Sequence, residues 1–139
     1  MHNILLVEDN LGDALLLEEA LGECDIDLTI NTVYDGEEAL EYLRKEGTYH
    51  NATTPDLVIL DMNIPKKDGT EVFHEIRSDN KLAHHNVMIL TSSPYEQDLL
   101  EKKELVPCCY VIKPSSLASF SVITETIMAF FNKKANICC

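Results

Sequence analysis

Asp61 ends an apolar run, Leu57-Val58-Ile59-Leu60, and is followed by Met62-Asn63-Ile64-Pro65. An aspartate straight after a buried type of strand, facing a turn, is placed to do chemistry. Two other strand ends give it company. Ile4-Leu5-Leu6-Val7 runs into Glu8-Asp9, and Tyr110-Val111-Ile112 runs into Lys113-Pro114. Three carboxylates and one amine, each at the C-terminal end of a strand, can converge in one crevice. Oxygen donors of this kind suit a divalent cation that keeps several waters. A carboxylate beside such a cation can serve as a phosphoryl acceptor.

The elements that must position these groups alternate along the chain. Asn3 to Glu8 reads as a short buried strand. Asn10 can cap a helix with Ala14, Leu17 and Leu21 on one face. Ile26 to Val33 alternates as a second strand, with Ile26, Leu28 and Ile30 facing one way. Asp35 and Glu38 have capping-box spacing and open a second helix that turns Ala39, Leu40 and Leu43 inward. Gly47 to Pro55 is a polar loop before the strand Asp56 to Leu60. Asp68-Gly69 leads into a helix with Val72, Phe73 and Ile76 inward. Val87 to Leu90 is a fourth strand, and Ser93-Pro94 starts a fourth helix. Tyr110 to Ile112 is the fifth strand. A fifth helix begins near Ser116 and buries Phe120, Ile123, Ile127 and Phe130; Lys133-Lys134 suit the dipole at its end.

Five strand-helix units predict an α/β fold: a five-stranded parallel sheet, doubly wound, with helices on both faces. Such sheets place their site outside the carboxyl ends of the strands, where strand order reverses. That rule selects Glu8, Asp9, Asp61, Thr91 and Lys113.

Composition narrows the classes. The chain has 139 residues, enough for one domain with a real core, and 45% of them are hydrophobic, which excludes disorder. A net charge of −13 argues against a nucleic-acid surface. No stretch is apolar and long enough to cross a bilayer, and no secretory leader is evident, so a cytoplasmic location is expected. Cys24, Cys108, Cys109, Cys138 and Cys139 have neither disulfide-framework nor metal-motif spacing, and ordinary reduced thiols are expected.

Five segments, in order, carry a resemblance: Val7-Glu8-Asp9-Asn10, Leu60-Asp61-Met62-Asn63-Ile64-Pro65, Asp68-Gly69, Leu90-Thr91-Ser92 and Lys113-Pro114. With these the chain resembles the receiver domain of two-component response regulators, over nearly its whole length. Tyr49, Pro55-Asp56-Leu57 and Pro65-Lys66-Lys67-Asp68-Gly69 are similar to the stand-alone subgroup that serves phytochrome-type sensor kinases. The resemblance implies a flavodoxin-like (βα)5 receiver over residues 1–134, a short tail at 135–139 and no output domain.

It also implies roles. Asp61 would accept a phosphoryl group from a sensor histidine kinase or a phosphotransfer protein. Asp9 and Asp61 would ligate Mg²⁺, with the backbone carbonyl of Asn63, and Glu8 would act through a water. Lys113 would add a second positive charge, Thr91 a hydroxyl, and the amides of Ser92 and Met62 further donors. Thr91 and Tyr110 would form the switch, and Lys113-Pro114 would be cis. The face changed on phosphorylation, built from the fourth helix, fifth strand and fifth helix, would meet a downstream protein or a second copy. Such a protein is a self-modifying switch, with slow self-dephosphorylation, and not an enzyme for external substrates.

Plainer readings compete. Glu8-Asp9 could help cap the first helix, and Tyr110 could be only a core aromatic. His84-His85 are expected as solvent-exposed loop residues and His74 as a surface residue. The stripe Phe120, Ile123, Ile127, Phe130, Phe131 is expected to be mostly core, with spare breadth for a dimer face. Two departures from the family pattern stand out. Val106-Pro107-Cys108-Cys109 occupies the place of a usual Gly-Ala, and Ser93 and Asn63 sit where neighbours tune phosphoryl lifetime.

Two rivals belong to other classes. A haloacid-dehalogenase-type phosphatase needs a second acid two residues after its nucleophile, where this chain has Asn63, and it needs room for a cap. A flavodoxin-like electron carrier needs a Ser/Thr/Gly-rich phosphate loop where Glu8-Asp9 stands.

Overall fold

The computed structural model describes residues 2–24, 26–62, 64–91, 109–112 and 120–133. Strands β1 (His2–Val7), β2 (Leu28–Val33), β3 (Leu57–Asp61), β4 (Val87–Thr91) and β5 (Cys109–Ile112) form one sheet. Its order is β2-β1-β3-β4-β5, and every pairing is parallel. Helices α1 (Leu11–Gly22), α2 (Gly36–Arg44) and α3 (Gly69–Ser78) connect the first strands, and a C-terminal helix spans Phe120–Lys133.

The central strands β1, β3 and β4 are buried on both sides, which their unbroken apolar runs require, while the edge strand β2 is mostly half-buried. Leu5, Val7, Val58, Leu60, Val87 and Ile89 point to α2 and α3, where Ala39, Leu40, Leu43, Val72, Phe73 and Ile76 meet them. Ile4, Leu6, Leu57, Ile59, Met88 and Leu90 point the other way. They pack on Ala14, Leu17 and Leu21 of α1 and on Ile123, Ile127 and Phe131 of the C-terminal helix. This is the doubly wound arrangement expected from the alternation.

Short polar side chains start the helices. Asn10 Oδ1 accepts from the Asp13 amide at 3.0 Å, and Asp68 Oδ1 accepts from the Glu71 amide at 2.9 Å. Asp35 Oδ1 accepts from the Glu38 amide at 2.7 Å. The reciprocal half of that capping box differs from the expected one. Glu38 Oε1 accepts from the Tyr34 amide, at 2.8 Å, one residue before the cap.

Three local expectations change. The 47–55 loop contains a 3-10 turn, Gly47–Tyr49, after a left-handed Lys45 (φ 56°) ends α2. His85 is not a solvent-exposed loop residue: it is only 6% exposed. It lies stacked on the exposed His84 with ring centroids 4.4 Å apart. Phe131, rather than Phe130, is the buried member of the last turn of the C-terminal helix, because it stacks on His2 at 4.3 Å. His74 is exposed, as expected.

Candidate metal centre

The crevice grows from the ends of the two central strands. Val7 of β1 pairs with Leu60 of β3, so Glu8 and Asp61 follow on adjacent strands at one level. The Glu8 amide donates to Val33 O at 3.0 Å and carries the β1–β2 ladder one step further. Asp61 pairs with Leu90, and the Met62 amide donates to Leu90 O at 3.1 Å. These bonds fix the backbone at the point where strand order reverses between β1 and β3.

Glu8 and Asp61 are 2% and 4% exposed, whereas Asp9 is open to solvent. One carboxylate oxygen from each of the three lies within 4.8 Å of the others. The Asn10 amide donates to Glu8 Oε2 at 3.3 Å, a contact that belongs to the start of α1. Two buried carboxylates and one exposed one, gathered this closely, repel one another. Burial deepens that cost unless a cation offsets it. The donor set is all oxygen, which fits a hard divalent cation such as Mg²⁺ or Mn²⁺.

The loop after Asp61 is cinched at its base. The Gly69 amide donates to Met62 O at 3.0 Å. A Cβ at Gly69 would stand 2.6 Å from Met62 Cα and 3.0 Å from Asp61 O. Only glycine lets α3 start this close to the strand end. Thr91 ends β4, the strand beside β3, and is almost fully buried. Met62, the residue after Asp61, is buried. Of the expected set, the structure gathers Glu8, Asp9 and Asp61, while Met62 follows Asp61 in the chain and Thr91 ends the neighbouring strand. Asn63, Ser92, Ser93, Lys113 and Pro114 lie outside the described residues, as does the side chain of Tyr110, whose backbone belongs to β5.

The profile of the response regulator receiver domain matches residues 4–124. The chain belongs to that family, whose members are switches of two-component signalling that work through phosphorylation and divalent metal. It is similar to response regulator Rcp1 of Synechocystis sp., 38% identical over 128 residues, covering 92% of this chain and 87% of that one. The crystal structure of a phosphorylated cyanobacterial phytochrome response regulator, RcpA, superposes with a TM-score of 0.87 at 43% identity, covering 97% of each chain. The Mn²⁺-bound form of Rcp1 superposes with a TM-score of 0.85 at 37% identity, covering 94% of each.

Proposed function

We propose that this chain is a single-domain response regulator whose phosphoryl acceptor is Asp61. The observation that carries this reading is the convergence of Glu8, Asp9 and Asp61 within 4.8 Å at the ends of the central strands. In the reaction, an Asp61 carboxylate oxygen attacks phosphorus, the bond from phosphorus to a kinase histidine nitrogen breaks, and that nitrogen takes a proton. Mg²⁺, when bound, neutralises charge on the acceptor and on the incoming phosphoryl oxygens. Asp9, Asp61 and the Asn63 carbonyl would hold it, and Glu8 would act through a water. Lys113, the Thr91 hydroxyl and the amides of Met62 and Ser92 take up the phosphoryl oxygens. Thr91 and Tyr110 then carry the change to the surface, as a shift between pre-existing states.

The partner is a protein. Leu11, Leu15 and Tyr34 are 62%, 59% and 43% exposed. Leu11 opens α1 straight after the acidic strand end, Leu15 follows one turn later, and Tyr34 follows β2. Large apolar side chains on the rim of a polar crevice suit a docking surface. The likeness to Rcp1 and RcpA supports a phytochrome-type sensor kinase as the donor. The receiver unit is residues 1–134, with 135–139 a short tail. The C-terminal helix keeps Phe130 only partly buried, which leaves apolar surface for self-association, in keeping with a homodimer through the fourth helix, fifth strand and fifth helix. No described helix is long and apolar enough to cross a membrane, and we place the protein in the cytoplasm. Self-dephosphorylation is its only hydrolytic activity.

The test is phosphoprotein mass spectrometry after acetyl phosphate and Mg²⁺. Wild type should gain one phosphoryl group and Asp61→Asn none. Equal labelling of the variant would move the acceptor elsewhere.

A further inference from the structure

We propose that Gly36, the first residue of α2, is a positioning residue for the cation crevice, acting through the loop after Asp61; this rests on the reading of the crevice given above. The Gly36 amide donates to Pro65 O at 3.2 Å. A Cβ built on Gly36 would overlap Lys67 O and would stand 2.8 Å from both Lys67 Cβ and Val72 Cγ2. A backbone oxygen cannot swing aside as the end of a side chain can, so the loop itself would have to move.

The same turn grips the loop at a second point. Asp35 Oδ2 lies 3.5 Å from Lys66 Nζ, and Lys66 holds a left-handed backbone (φ 68°) that a lysine rarely adopts. On its far side the loop is tied by Lys67 Nζ to Glu75 Oε2 at 2.5 Å. The inner end is closed on Met62 by Gly69. The segment from Ile64 to Asp68 is thus pinned between α3 and the β2–α2 turn. A push at Lys67 has little slack to absorb it before Asp61 and Met62. Supporting contacts around metal ligands typically change affinity by about ten- to a hundredfold when broken.

The test measures Mn²⁺ affinity by the paramagnetic resonance of the free ion, on the whole protein, with folding followed by circular dichroism. Gly36→Ala should stay folded and weaken Mn²⁺ about tenfold. Gly22→Ala, whose Cβ meets nothing within 4 Å, should bind as wild type does. Lys66→Ala separates positioning from field effects. Removing a cation near an acidic site strengthens Mn²⁺ by charge alone, whereas loss of the Asp35 clasp weakens it by at least about twofold. Wild-type affinity in a folded Gly36→Ala overturns the proposal. So does unchanged or tighter binding in Lys66→Ala, which decides the matter if Gly36→Ala does not fold. Failure of wild type itself to bind Mn²⁺ would instead strike the functional reading.

Discussion

The Tyr49 hydroxyl donates to Glu38 Oε2 at 2.6 Å. The other oxygen of the same carboxylate already holds the Tyr34 amide, at 2.8 Å. One glutamate on α2 therefore ties the 3-10 turn to the chain leaving β2, beside the exposed Tyr34 ring. Burial pushes the Tyr49 hydroxyl up to about 12, and the bond to Glu38 and the nearby negative charge add to it. Below pH 10 the tyrosine is neutral in both folded and unfolded chains, and the bond contributes fully. As pH rises through about 12 that contribution is lost. Tyr49→Phe should cost about 1 kcal/mol at pH 7 by urea unfolding. Its stability should fall less steeply than wild type above pH 10; identical slopes would count against the linkage.

His85 offers the opposite sign. Burial depresses its proton affinity first, and the neighbouring His84, Arg77 and Lys45 charges lower it further, against a hydrogen bond with the Pro55 backbone that raises it. A depressed folded value means that the neutral ring stabilises the fold above the unfolded value near 6.5. That stabilisation is lost as pH falls through the folded value. The urea midpoint of wild type should therefore drop between pH 7 and 5 by more than that of His85→Asn. A parallel drop in both proteins would assign the effect to other groups.

Cation binding should be visible as stability. At a hundredfold excess over its dissociation constant, Mg²⁺ should stabilise wild type by about 2.7 kcal/mol. Asp9→Asn removes an exposed ligand candidate without emptying the core, so its stability without metal should be at least that of wild type. Its gain with Mg²⁺ should be smaller, and smaller than the gain of Glu8→Gln, because Glu8 is assigned to act through a water. Thermal scans with and without Mg²⁺ give all three gains; equal gains for both variants would remove the distinction between the two acids.

The glycines should sort by what a methyl group meets. Gly69→Ala places a carbon 2.6 Å from the Met62 backbone and should destabilise the protein by about 1–3 kcal/mol. Gly22→Ala ends α1 in open space and should stabilise it by about 0.5 kcal/mol. Denaturant midpoints check both signs.

What was readable along the chain follows the reach of each signal. Apolar runs located β1, β3 and β4, where burial on both faces forbids polar interruptions, and alternation located the edge strand β2, each to within about two residues. The caps Asn10 and Asp35 were readable because their side chains bond within three residues, and Asp68, legible as the turn into α3, proves to cap it in the same way. The three acids were readable as strand-end residues. His85 was missed: its burial is a tertiary effect, at a place where Leu43 and Thr54, both far from it in the chain, line the same cavity. Periodicity in a short loop carries no such information. Gly36 was read only as the start of a helix. The approach of Lys67 to it joins positions 36 and 67, far apart in the chain, and no local pattern marks that. The swap of Phe130 for Phe131 has a similar origin, since a partner on β1, His2, decides which ring turns inward.

The step from Val7–Leu60 to Glu8–Asp61 is one rung of a parallel ladder, and neighbouring strands stand about 4.8 Å apart whatever joins them. The width of the acid pair is thus inherited from peptide geometry, not from the loops. An engineer could exchange the surface connections to redirect partner choice and still find the gap unaltered. Only a slip in pairing between the first and third strands would spoil it, and such a slip would also turn each core side chain of the strand to the wrong face.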